Sequence, residues 1–270
     1  MRIDGHAHAC GEYLTLKNID QKIKSNQLDY VVLVPGEYNN KKTYHLKDRT
    51  LKNPEKDAVL KINKLARIIV TLTQTQRDIP KGNEYVFSMA QQDARIKQFF
   101  WITKGQWDGI EKSYERMRFH GVKIHQCWEK LDLESPLFAE ICEFAIQKDM
   151  PLFAHLYSHA DIVKLIKHIK QNKALKVIVA HHFGCEYFLE DDVRLFDNVF
   201  FDMSNTYFVS KERVDKTLSR FGSTKLLLGS DTPYGCRALE KAVQRISELD
   251  LSENERENIL GNNMARLLKL

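Results

Sequence analysis

The stretch KVIVAHHFG, Lys176 to Gly184, is a short apolar run that stops abruptly at a pair of histidines. Val177 to Ala180 offer no polar side chain to solvent, so the strand they imply is covered on both faces, as strands of a parallel sheet are. The pattern recurs along the chain. Strand-like runs are read at Arg2 to His8, Tyr30 to Pro35, Phe99 to Thr103, Val122 to His125, Pro151 to His155, Lys176 to His181, Val199 to Met203 and Lys225 to Asp231. Between them lie helical patterns at Pro54 to Leu72, Gly109 to Phe119, Ser135 to Lys148, Ala160 to Gln171, Lys211 to Phe221 and Cys236 to Leu249. Eight strands alternating with helices predict an α/β chain, folded as a (β/α)8 TIM barrel. The stretch Lys41 to Lys97 has no such rhythm; a helical insertion of one long segment or two helices is expected there, between strands 2 and 3, distorting the barrel.

Composition agrees with one folded domain over residues 1–270. Hydrophobic residues at 43% with only 12 Gly and 6 Pro argue against disorder and against a fibrous repeat. The net charge of +5 comes from lysines spread along helical segments such as KLIKHIKQNK, which reads as a solvated surface and argues against a nucleic-acid partner. Apolar runs such as VVLV are far below the roughly 20 residues of a membrane span. Met1 leads straight into a polar motif without a signal peptide, and a cytoplasmic location is expected. Five cysteines, an odd number with no CxxC pair, point to reduced thiols.

The ends of the runs carry the chemistry. The first ends on His6 and His8, the fourth on His125, the fifth on His155, the sixth on His181 and the eighth on Asp231. Barrel enzymes build their sites at the C-terminal ends of their strands, so these groups are expected at one mouth. One histidine at a strand end is ordinary core packing, but five among the chain's 10 are hard to attribute to packing alone. Residues i and i+2 of a strand share a face, so His6 and His8 present two imidazoles together while Ala7 points away. With His155 and Asp231 they form an imidazole and carboxylate set suited to one divalent metal ion per chain, zinc first, with Mn, Fe, Co or Ni also compatible.

The pieces DGHAH, GVKIH, PLFAHLY, VIVAHHFG, VFFDMS, LLLGSDTPYG and ILGNNMARLLKL, in this order, resemble the amidohydrolase superfamily of metal-dependent barrel enzymes. The likeness is to the amidohydrolase-related branch that includes aminocarboxymuconate semialdehyde decarboxylase. It implies that His6, His8, His155 and Asp231 bind the metal, that His181 is the acid or base, and that Asp231 also accepts a proton. Some members of the superfamily bridge two metals with a carbamylated lysine of the fourth strand. Lys123 shares a face with His125, and an ordinary lysine beside a single metal is expected here; His125 has no firm role. His182 is expected to be structural. Loop residues Glu12, Tyr13, Trp128, Tyr157, Asn205 and Tyr234 are read as a pocket for a small-molecule substrate, with His159 and His45 as further contacts. The leading expectation is hydrolysis of an ester, lactone or amide by metal-activated water. The rival is non-oxidative decarboxylation of an aromatic or unsaturated acid, for which Arg237 is the candidate carboxylate clamp. A catalytically inactive binding barrel is the third reading. A homodimer is what the resemblance implies.

Overall fold

The computed structural model describes residues 1–37, 40–73, 78–190 and 192–270. Eight strands form one sheet in chain order: β1 (Ile3–His8), β2 (Tyr30–Val34), β3 (Ile96–Trp101), β4 (Gly121–His125), β5 (Leu152–His155), β6 (Val177–Val179), β7 (Val199–Asp202) and β8 (Leu226–Leu227). Each pairs in parallel with the next. The eighth strand is short, and the barrel closes beyond it through single backbone bonds. Gly5 N–H donates to Leu228 O, Asp231 N–H to His6 O and His8 N–H to Thr232 O, at 2.9, 2.7 and 2.9 Å. The seam that turns the sheet into a (β/α)8 TIM barrel is therefore the segment carrying His6, His8 and Asp231.

The strands are crossed by α1 (Leu16–Asn26), α2 (Val59–Thr73), α3 (Ile79–Gln92), α4 (Ile110–Met117), α5 (Pro136–Gln147), α6 (His159–Gln171), α7 (Glu186–Leu189), α8 (Lys211–Phe221), α9 (Ala238–Ser247), α10 (Glu253–Glu257) and α11 (Asn263–Leu268). All six helical patterns expected from the sequence are present. The insertion between β2 and β3 holds two helices, α2 and α3. The unexpected α1 buries only Ile19 and Ile23 of its eleven residues, too few to set a period, and α3 carries Pro80 in its first turn with Gly82 inside. Two strands are shorter than expected. β6 stops at Val179 because His181 takes a left-handed backbone (φ 55°), and β8 is cut short before Asp231 (φ 58°).

Alternation along the strands divides two cores. Ala7, Val122, Ile124 and Ala154 face the helices, whereas Ile3, Val32, Phe99, Phe153, Ile178 and Leu227 fill the barrel with Met264, Leu267 and Leu268 of α11. The terminal helix packs at the strands' N-terminal end, where Gly261 lies against the Met1 carbonyl too closely for any Cβ. Histidines and carboxylates collect at the other end. No helix among the described residues is long and apolar enough to cross a membrane.

The insertion is fastened to the barrel by a buried ion pair. Arg213 of α8, 2% exposed, reaches Asp57 Oδ2 at 3.0 Å, the His182 carbonyl at 2.9 Å and Glu186. Asp57 also accepts from Gly184 N–H at 2.7 Å. Arg213→Met is expected to lower stability in urea unfolding by about 3–5 kcal/mol, because Asp57 is left buried without its cation. Adding Asp57→Asn should recover much of that loss; no recovery would show that the charge pair is not its source.

Candidate metal centre

β1 delivers His6 and His8 to the mouth, and each ring has its inner nitrogen spoken for. His8 Nδ1 lies 2.8 Å from the Pro35 carbonyl, an acceptor only, so Nδ1 carries the proton. His6 Nδ1 lies 3.0 Å from Asp202 Oδ2, the last residue of β7. The same carboxylate accepts from the backbone of Ser204 at 3.0 Å, from the backbone of His181 at 3.3 Å and from the Ser204 hydroxyl. Ser204 has one O–H, given to Asp202, so its oxygen accepts from His181 Nδ1, 2.9 Å away. All three imidazoles thus hold their proton on Nδ1 and present the lone pair of Nε2.

Those lone pairs face one carboxylate. His6 Nε2 and His8 Nε2 stand 3.6 and 3.3 Å from Asp231 Oδ1, and His181 Nε2 stands 3.9 Å from Oδ2. Asp231 is buried and also accepts from Asn205 Nδ2 at 3.1 Å. Burial by itself pushes its carboxyl up, whereas a proton carried by His181, His8 or His6 pulls it below the usual carboxylate range. His6 is pushed well below 6.5, chiefly by burial and next by the Lys123 ammonium, and is neutral at pH 7. Lone pairs and a carboxylate oxygen packed this closely repel one another; the Lys123 ammonium, 2.6 Å from His6 Nε2, relieves this at His6, and a bound cation would relieve it across the set. Ligand atoms of His6, His8 and Asp231 fall within 4.8 Å of one another, as do those of His6, His181 and Asp202. The donor set fits a divalent ion, with Asp202, Ser204 and Pro35 in the supporting roles that fix ligand tautomers.

Asp4 locks this geometry from beneath. Its carboxyl accepts from Tyr13 hydroxyl at 2.9 Å, from Ser230 hydroxyl at 2.7 Å and from Ser230 N–H at 2.9 Å, which ties β1 to the residue before Asp231. Burial raises its pKa to about 6 against the pull of those bonds. Gly229 is equally constrained, since a Cβ there would collide with Asp202 Oδ1.

Other expected residues fall at different distances from this centre. His155 stands further out: its ring centroid is 4.9 Å from that of His181 and 3.9 Å from that of His125, with Nε2 bonded to Asn63 Oδ1 at 3.0 Å. Its ligand atoms group with those of His125 and Cys127. The His125 and His155 rings are parallel to 11°, so no single ion lies in the plane of both. Burial pushes the Cys127 thiol up to about 12. Lys123 is fully buried, its Nζ 2.6 Å from His6 Nε2 and 4.5 Å from the Phe153 ring centroid. Tyr234 meets His8 edge-on at 5.4 Å, stacks on Tyr44 and donates to Glu37 at 3.0 Å. Tyr157 lies under the Arg67 guanidinium, 5.2 Å from its ring centroid, and Trp128 lies in the turn after β4.

Several expected pocket residues are elsewhere. Tyr13 is in the core holding Asp4, Glu12 pairs with Lys22 at 2.5 Å, and Arg237 and His45 are exposed. His159 packs beside Phe183 and Tyr187. His182 donates to the Asp202 carbonyl at 3.1 Å, the structural role expected of it. Sequence reasoning missed Asp202, Ser204, Asn63 and Arg67. Asp202 stands in VFFDMS at the end of a strand, a position that marked every other member of the set.

A family model described as amidohydrolase matches residues 66–270. The chain belongs to the amidohydrolase family. No curated protein matches it. Among solved structures it is similar to a probable 2-pyrone-4,6-dicarboxylic acid hydrolase from Acinetobacter baumannii, at 13% identity and TM-score 0.68, over 100% of this chain and 99% of the other. It is similar to a dihydroxybenzoic acid decarboxylase from Polaromonas sp. JS666 with bound manganese, at 13% identity and TM-score 0.65, over 100% and 97% of the two chains. A third, 4-oxalomesaconate hydratase from Rhodopseudomonas palustris, gives 13% identity and TM-score 0.63, over 100% and 96%. At such identities the likeness establishes the fold, and family membership makes the chain an amidohydrolase-like enzyme.

If Asp202 fixes the His6 ring for metal, Asp202→Ala lowers zinc affinity about 10–100-fold. Gly229→Ala is expected to act in the same direction by displacing that carboxylate. Chelator competition on the two variants measures both, and unchanged affinity would remove Asp202 from the support of the centre.

Proposed function

We propose that the chain is a metal-dependent hydrolase holding one divalent ion, zinc in the first instance, and acting on an ester, lactone or amide of a small cyclic or aromatic substrate. The observation that carries this reading is the convergence of the His6, His8 and His181 Nε2 atoms on the buried carboxylate of Asp231. His6, His8, His155 and Asp231 would hold the ion. When bound, it supplies Lewis-acid polarisation of a carbonyl and activation of water near neutral pH.

The remaining chemistry belongs to the chain. Asp231 Oδ2, on the side of His181, is the proton acceptor closest to the centre. His181 is the general acid and base: its Nε2 takes a proton while Nδ1–H stays bonded to Ser204, which leans on Asp202. That arrangement keeps the ring in one tautomer and disperses the positive charge that protonation creates. Lys123 stays an ordinary ammonium beside His6. Trp101, Tyr157 and Tyr234 give the mouth flat apolar walls suited to a ring.

Decarboxylation of an aromatic or unsaturated acid is the second reading, favoured by the position of Arg67. Its Nη1 donates to the Gln126 carbonyl at 3.3 Å, just past β4, and its guanidinium covers Tyr157. A planar acid lying on Tyr157 would meet that cation, the service expected of Arg237, which is exposed.

Metal analysis of tag-free protein is expected to give a stoichiometry near one per chain, lost in the His6→Ala, His8→Ala double variant; near two would indicate a Lys123 carbamate bridge. Wild type and Asp231→Asn, loaded with zinc or manganese, should then be compared on esters, lactones and aromatic acids. Acid release that Asp231→Asn abolishes supports hydrolysis, whereas CO2 release without acid formation replaces it with the second reading. Protein that binds neither zinc nor manganese overturns both.

A further inference from the structure

Helix α2, part of the insertion, enters the mouth through one buried polar side chain. Asn63 is 1% exposed. Its amide nitrogen lies 2.8 Å from the Leu156 carbonyl and 3.2 Å from the Tyr157 carbonyl. Both partners are acceptors only, so the atom facing them is the NH2 group, and reversing the amide would set oxygen against two carbonyl oxygens. The other end of the amide is therefore oxygen, and it stands 3.0 Å from His155 Nε2. An amide oxygen cannot donate, so the proton of a neutral His155 resides on Nε2 and its lone pair on Nδ1. This is the reverse of His6, His8 and His181, whose protons are on Nδ1.

We infer that Asn63 is a positioning residue of the metal centre: it fixes His155 as the Nε2–H tautomer and so reserves Nδ1 as the donor to the ion held by His6, His8 and Asp231. The inference rests on the reading of a divalent ion at that centre. It gives the β2–β3 insertion a direct part in metal binding, because α2 supplies the group that selects a donor atom on β5. It also explains why two bonds of Asn63 go to the residues immediately after His155. They fix the amide against rotation, so its oxygen has no choice of partner. A residue that merely pinned α2 to the barrel would need only those two bonds.

Two measurements separate this role from simple fastening. In long-range 1H–15N correlation spectra of the metal-free protein, His155 is expected as Nε2–H and His6 and His8 as Nδ1–H. In chelator competition with zinc, Asn63→Leu is expected to lose about 10–100-fold in affinity. In a His155→Ala background, Asn63→Leu should change zinc affinity little, because the donor it serves is already gone. An Nδ1–H tautomer for His155, or an equal affinity loss in both backgrounds, overturns the proposal and leaves Asn63 as a structural pin. The wild-type spectrum tests the tautomer even where Asn63→Leu does not fold. Wild type that takes up no zinc sinks the reading of the centre itself, and the spectra then still decide the pairing of Asn63 with His155.

Discussion

Three imidazole Nε2 atoms and a buried carboxylate are held face to face at the mouth of the barrel, and the bonds around them are arranged to keep them there. Left alone, such groups would turn away, take up protons or draw in solvent. They are kept from turning because each ring is fixed from behind, His8 by a main-chain carbonyl and His6 and His181 through Asp202 and Ser204. Asp202 is the economical element, since one carboxylate restrains rings from the ends of β1 and β6. Rings braced in this way on strand ends are preorganised, their orientation set by the fold.

The backbone shares the load. His181, His182, Asn205 and Asp231 all take positive φ, between 52° and 65°. For residues with a Cβ each such conformation costs of order 1–3 kcal/mol and persists only where surrounding bonds enforce it. Here the enforcing bonds are visible: Asp202 accepts from His181 N–H, Asn205 donates to both Asp231 and the Tyr234 carbonyl, and Asp231 N–H closes the barrel on His6. The strained positions follow β6, β7 and β8 in turn. The sheet is regular where it is only a scaffold and irregular where it presents side chains.

Much of this was legible in the sequence because apolar strands that stop at a histidine or aspartate combine two signals, burial on both faces and an unexplained polar end. That reading gave the eight strands, the pairing of His6 with His8 and the convergence of His181 and Asp231. What remained hidden was whatever depends on contacts between distant elements. Ser204 acts only because its hydroxyl is already given to Asp202, and Asn63 lies on a helix whose sequence shows nothing but amphipathic spacing. Tyr13 was misplaced for a related reason: aromatic residues following a strand look alike whether they line a pocket or, as here, turn beneath it to hold Asp4.

The two ends of the barrel consequently obey different rules. At the N-terminal end, Ile3, Leu227 and the apolar face of α11 make a sealed plug in which volume and shape decide stability. At the C-terminal end the buried side chains of His6, His8, His181, Asp202 and Ser204 are held by hydrogen bonds, so a substitution among them changes which nitrogen holds a proton before it changes packing. The insertion belongs to the second regime. It is fastened by Arg213 and Asp57 on one side and brings Asn63 and Arg67 over β4 and β5 on the other. Because Asn63 and Arg67 stand one helical turn apart on α2, a single helix couples the orientation of a metal-site histidine to the position of the cation above Tyr157. One helix thus touches both His155 and the face of Tyr157.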